Sequence, residues 1–181
     1  YSNLLGRVEL WDRLFHVGTY TASLGTTSLT SQPSFSSRVP GGTDFSGLRV
    51  FVEHVTNGTA NAYTVQITYT NQGGTTGRTS VVTGSLSGMI ANRMTEITLA
   101  AGDSGIQKIE SVIIGGVAST STFNVVILRP LWTNNFRVAG SGGVDALDRT
   151  GMPEVFADSC LMLTAAPDST TSTQPDLNIE I

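Results

Sequence analysis

From Tyr63 to Thr70 apolar and polar side chains alternate without a break, with Tyr63, Val65, Ile67 and Tyr69 set against Thr64, Gln66, Thr68 and Thr70. A period of two is the signature of a strand with one dry and one wet face. Upstream, LRVFVEHV (Leu48 to Val55) is β-branched and apolar on both faces. The Asn57-Gly58 pair that follows tolerates positive φ, so these two strands are expected to pair as a hairpin. Further strands are predicted at Val8 to Tyr20, Thr79 to Leu86, Met94 to Ala100, Ile106 to Ile114, Thr122 to Trp132 and Cys160 to Ala165. The last residues, DLNIEI, alternate Leu177, Ile179 and Ile181 with Asn178 and Glu180. About nine short strands punctuated by Gly, Asn and Pro predict an all-β fold, an antiparallel β-sandwich of jelly-roll-like type. Helix is confined to single turns, one from Pro153 in MPEVFADSCLML and one in VDALDR (Val144 to Arg149).

The pattern fails between Thr21 and Gly47, where Ser and Thr are so frequent that no apolar period survives. Some 27 residues at about 3.3 Å each span roughly 90 Å when extended. A long irregular stretch usually has a task, and an arm lying on a neighbouring subunit is one. The expected organisation is therefore residues 1–47 as an N-terminal strand with a Ser/Thr/Gly-rich arm or loop, followed by a β-sandwich domain over 48–181.

Composition narrows the classes. A chain of 181 residues can bury a core without staples. Charged residues make up only 13%, below the usual quarter, which suits a Thr-rich sheet surface. The net charge of −4, with Lys108 and scattered arginines as the only cations, speaks against a nucleic-acid partner. Cys160 is the single cysteine, so an intramolecular disulfide framework is excluded. No apolar run approaches the roughly 18 residues of a membrane helix, and the first residues show no signal-peptide pattern.

Candidate chemistry is sparse. The run Gly73-Gly74-Thr75-Thr76-Gly77-Arg78-Thr79 departs from a phosphate loop in spacing, carries Arg78 where Lys is needed, and precedes a strand. It predicts a hairpin tip. His16 and His54 sit in strand-like contexts, and no nucleophile-elbow motif accompanies the serines. Cys160 opens the apolar run Cys160-Leu161-Met162-Leu163, which predicts a buried, inert thiol. Asp145 and Asp148 beside Arg149, and Glu154 with Asp158, have the residue type for glycoside hydrolysis but read as caps, ion pairs or solvated groups. No metal motif is present, and Gly102-Asp103-Ser104-Gly105 reads as a turn. Tyr63, Tyr69, Trp11, Trp132 and Phe136 are the aromatics available for sugar stacking. Tyr63 and Tyr69 share a face with Val65 and Ile67, which predicts core or interface. No cofactor is expected.

In order along the chain, TVQITYTNQGGTTGRTS, ITLAAGDSGIQKIESVIIGG, FNVVILRPL and GMPEVFADSCLMLTAAP resemble segments of virion structural proteins of tailed bacteriophages, of the head decoration or cement type. The resemblance runs from about Trp11 to the C-terminus. It implies a non-enzymatic β-domain whose partner is the major capsid protein, on the outer surface of the capsid in the virion, assembled as a homo-oligomer with a trimer favoured. The end, TAAPDSTTSTQPDLNIEI, is more polar than the matching strand pair of such proteins. The resemblance identifies no contact residues. The candidate interface side chains in this sequence are Trp11, Phe35, Arg38, Phe45, Arg78, Trp132 and Phe136. Another virion location, tail or neck, and a glycan-binding module are the alternatives.

Overall fold

A computed structural model describes residues 6–136 and 153–167. The fold is all-β, with strands in two antiparallel sheets. The strands are β1 (Gly6–Thr21), β2 (Gly25–Ser28), β3 (Arg49–His54), β4 (Tyr63–Asn71), β5 (Arg78–Thr79), β6 (Met94–Ile97), β7 (Ile106–Gly116), β8 (Thr122–Phe136) and β9 (Leu161–Pro167). The predicted strand at DLNIEI and the predicted helical turn at VDALDR lie outside the described residues. The turn of helix expected from Pro153 is not formed, since residues 153–160 carry only a reverse turn.

The chain divides into two compact units, Arg13–Arg129 and Tyr1–Asp12 with Pro130–Ile181. The boundaries fall within β1 and β8. In the larger unit one sheet runs β6-β3-β8-β1 and the other β2-β7-β4-β5. Their facing sides build one core from residues that obey period two: Val50 and Val52 on β3, Tyr63, Val65 and Ile67 on β4, Phe123, Val125 and Ile127 on β8. Tyr63 stacks on Phe123 with ring centroids 5.7 Å apart. In the smaller unit β9 pairs antiparallel with the start of β1, Leu10 opposite Leu163. There the Trp11 indole N–H donates to the Thr164 hydroxyl at 2.8 Å, and buried Asp12 accepts the Cys160 N–H at 2.9 Å.

Three expectations meet this topology. First, β3 and β4 do not form a hairpin. β3 pairs with β6 and β8, so the Asn57-Gly58 segment crosses from one sheet to the other. Gly58 is needed there for space, because a Cβ would stand 2.7 Å from the Met89 nitrogen.

Second, the Ser/Thr segment is laid on its own domain. Ala22, Phe35 and Val39 are buried in the core, and β2 pairs with β7. A few apolar side chains suffice to anchor a segment that shows no period.

Third, the predicted strand Thr79 to Leu86 ends after Thr79. The amides of Ser80, Thr83 and Leu86 nonetheless donate to the carbonyls of Ile67, Val65 and Tyr63. The Ser80 and Thr83 hydroxyls accept the Ile67 and Val65 N–H groups at 3.0 and 2.9 Å. Three residues of this run match two of β4, and hydroxyls stand where a regular strand would present carbonyls. The edge of the sheet is thereby satisfied.

Candidate functional site

The two ends of the larger unit differ in chemistry. At one end the glycine-rich segment is a hairpin tip, as predicted, joining β4 to β5 with Tyr69 opposite Arg78. β7 departs from regular pairing with β4 between Thr68 and Tyr69 and again between Thr70 and Asn71. The residues that β7 gains at these bulges are Glu110 and Gln107. A bulge re-aims a side chain. Glu110 accepts the Thr70 hydroxyl at 2.8 Å and the Gly77 N–H at 3.1 Å, while the Gln107 amide donates to the Gln72 carbonyl at 2.9 Å.

The Asn71 side-chain oxygen accepts the Gly73 and Thr75 N–H groups. Amides that a phosphate would need are thus engaged, and a carboxylate occupies the approach to Gly77. An anion is disfavoured there both by the missing donors and by charge.

Beside the hairpin lies the Gly102–Gly105 turn, whose Asp103 gathers three donors. Tyr69 hydroxyl donates at 2.6 Å, Asn71 amide at 2.8 Å and Arg78 Nε at 2.8 Å. Hydrogen bonding from Arg78 outweighs desolvation and holds the Asp103 carboxyl at about 2. Burial, together with the Asp103 hydrogen bond, raises the Tyr69 hydroxyl pKa. The Tyr69 oxygen also accepts the Ala100 N–H at 2.9 Å. Both Asp103 oxygens and the Tyr69 hydroxyl are thereby engaged, which is the arrangement of a structural clamp.

On the outer side of the β6-β3-β8-β1 sheet, Glu53 accepts both Arg13 Nη1 and Nη2, at 2.8 and 2.9 Å, and Asn124 Nδ2 at 2.7 Å. Desolvation pushes Glu53 up, but the Asn124 and Arg13 hydrogen bonds prevail and its pKa is lowered. Arg49 lies over the Phe51 ring and pairs with Glu96 through Nε at 2.7 Å. Again each charge is answered within the sheet.

The opposite end is built from four segments: residues 22–24, 55–62, 84–93 and 117–121. Arg93 is the only charged residue among them. Their backbones are tied in series. Ala22 N–H donates to the Ser121 carbonyl and Ser119 N–H to the Ala22 carbonyl, Val117 N–H donates to Ala62, Gly58 N–H to Met89, and Val55 N–H to Thr122. The hydroxyls of Thr59, Ser119 and Ser121 link the same loops. Each segment presents one large aliphatic side chain to solvent, Leu24 (56% exposed), Val55 (41%), Ile90 (51%) and Val117 (56%). No local period marks this set, because the residues come from four loops brought together by the sheets.

The sequence-predicted residues are distributed as follows. Trp11 and Phe35 are buried. Phe45 is half-buried, edge-on to Phe35 with centroids 5.9 Å apart. Arg38 donates to the Arg13 carbonyl at 2.8 Å, Arg78 is committed to Asp103, and Trp132 is half-buried. The Phe136 side chain, Asp145, Asp148 and Arg149 lie outside the described residues. Tyr63 and Tyr69 are core residues, so they do not form a sugar platform.

His54 is in the core and His16 is exposed. Glu154 and Asp158 are exposed. Cys160 is exposed, not buried as its apolar neighbours predict, because it precedes β9, where Leu161 and Leu163 are themselves exposed. Among the described residues no group of three or more His, Cys, Asp or Glu is placed to hold a metal, and no helix is long and apolar enough to cross a membrane. Comparison of the chain with protein-family models, with curated proteins and with solved structures finds no match in any of the three.

Proposed function

We propose that this chain is a non-enzymatic virion structural protein that decorates the bacteriophage head, binding the outer surface of the major capsid protein shell as a homo-oligomer. The observation that carries the reading is the charge-poor end of the larger unit, where hydrogen-bonded loops hold Leu24, Val55, Ile90 and Val117 exposed. Depletion of charge with exposed apolar side chains is the character of the central part of a protein interface. Loops fixed to one another lose little conformational freedom on docking, which favours affinity for another protein.

The order of the virion-like segments along the sequence gives the reading its partner. On a symmetric shell, many modest contacts add through avidity.

The test is direct. Purified protein mixed with undecorated phage capsids is expected to co-sediment with them at micromolar concentration and to raise their resistance to heat. Absence of binding at that concentration overturns the proposal. Light scattering of the free protein is expected to give the mass of a trimer.

A further inference from the structure

At the base of the charge-poor end lies a buried imidazole that no carboxylate answers. His54, the last residue of β3, is 1% exposed. Its Nδ1 stands 3.3 Å from the Tyr63 hydroxyl and its Nε2 3.5 Å from the Thr95 hydroxyl. Each hydroxyl can donate or accept, so the pair suits a neutral ring of either tautomer. A charged ring would need compensation that the surroundings lack.

The titratable group facing it from β4 is Tyr63; β6 offers Thr95, and β8 places Phe123 opposite it. In the adjoining segment the charged residue is Arg93, whose sign is wrong. Glu53 and Glu96 are engaged elsewhere, by Arg13 with Asn124 and by Arg49. Burial keeps the His54 pKa below its ordinary value.

The backbone around His54 shows what would give way. Its N–H donates to the Arg93 carbonyl at 2.9 Å, and its carbonyl accepts the Asn92 N–H at 2.8 Å. Thr95 belongs to β6, a four-residue strand paired with β3 over Val50 to Glu53. A short edge strand is the cheapest element to open locally. We propose that His54 is an acid-sensitive latch: protonation drives the ring out of the core and releases residues 89–97, which carry Met89 and Ile90, so that the charge-poor end loosens as the pH falls from 7 to 5. This inference stands apart from the capsid reading, since it requires no partner.

The sign follows from linkage. A histidine whose folded pKa is depressed contributes stability that is present above its ordinary value near 6.5 and is lost as the pH falls below it. If the closed form stays neutral throughout, the opening equilibrium rises about 25-fold between pH 7 and pH 5.

Hydrogen exchange measured by mass spectrometry, expressed as protection factors corrected for intrinsic rates, reads this directly. Peptides covering 89–97 are expected to lose protection over that range, by at most about 25-fold, while peptides covering 106–114 hold theirs. In H54Q and H54F the pH dependence over 89–97 is expected to vanish, whatever the baseline. Unchanged protection at 89–97 in the wild type, a loss spread evenly over all strands, or a pH dependence surviving in the variants overturns the latch. Should neither variant fold, the imidazole resonances of the wild type decide, with exposed His16 assigned through H16Q. A His54 ring that titrates between pH 7 and pH 5 while exchange at 89–97 stays constant overturns it equally.

Discussion

The hairpin end and the loop end of the larger unit belong to the same strands, yet one is knit by charge and the other has almost none. Around Asp103, carboxylate, phenol, guanidinium and amide groups form a closed set, and Glu110 and Gln107 fasten the hairpin above it. Around Leu24, Val55, Ile90 and Val117 the loops are held by backbone amides and small hydroxyls, with the aliphatic groups turned outward. Polar density alone therefore does not mark a functional surface. Groups that satisfy one another stabilise the fold, whereas exposed apolar groups on a fixed frame are available to a partner.

The sharpest way to break this contrast is at Asp103. Replacing it with Ala leaves Tyr69, Asn71 and Arg78 without their acceptor, and a loss of about 2–4 kcal/mol in urea unfolding is expected. Because the folded pKa is about 2 against an ordinary 3.8, the stabilising contribution is present above pH 3.8 and lost as the pH falls toward 2. Wild-type urea midpoints should fall across that window more steeply than those of D103N. Equal slopes would show that the clamp does not govern the acid limb.

The hydroxyl-lined edge comes next. S80A removes the acceptor of the buried Ile67 N–H, and a cost of about 1–2 kcal/mol is expected by the same measurement. T83V should behave alike at Val65, while T79V, at an exposed position, should change little.

The smallest expected effect on stability is at the loop end. L24S, I90S and V117S should each alter unfolding by less than about 0.5 kcal/mol, since these side chains are already in water. Their effect should be read in capsid binding, where the triple variant is expected to lose co-sedimentation while keeping its melting temperature. Retained binding by that variant would move the docking surface elsewhere on the molecule.

Local pattern carried the reading where one face of a strand meets the core. The alternation from Tyr63 to Tyr69 forecasts β4 residue by residue, and the glycine cluster forecasts its turn. Both depend only on side-chain period and backbone freedom. The Asn57-Gly58 signal misled because turn preference is a local property, whereas β3 finds its partners in β6 and β8 far along the chain. Thr79 to Leu86 misled because a hydroxyl can replace a backbone carbonyl, a substitution invisible to propensity. Phe35 and Val39, isolated in Ser/Thr-rich sequence, tied down a segment that composition describes as free.

The sequence by itself determined the all-β class, most of the strands and the hairpin over the glycine cluster. Those follow from period two and from residues that permit tight turns. Only the tertiary structure decided which strands became neighbours, where the charged groups closed on one another, and that four distant loops share a charge-poor end. Such features depend on contacts between residues far apart in sequence, and no window along the chain contains both partners.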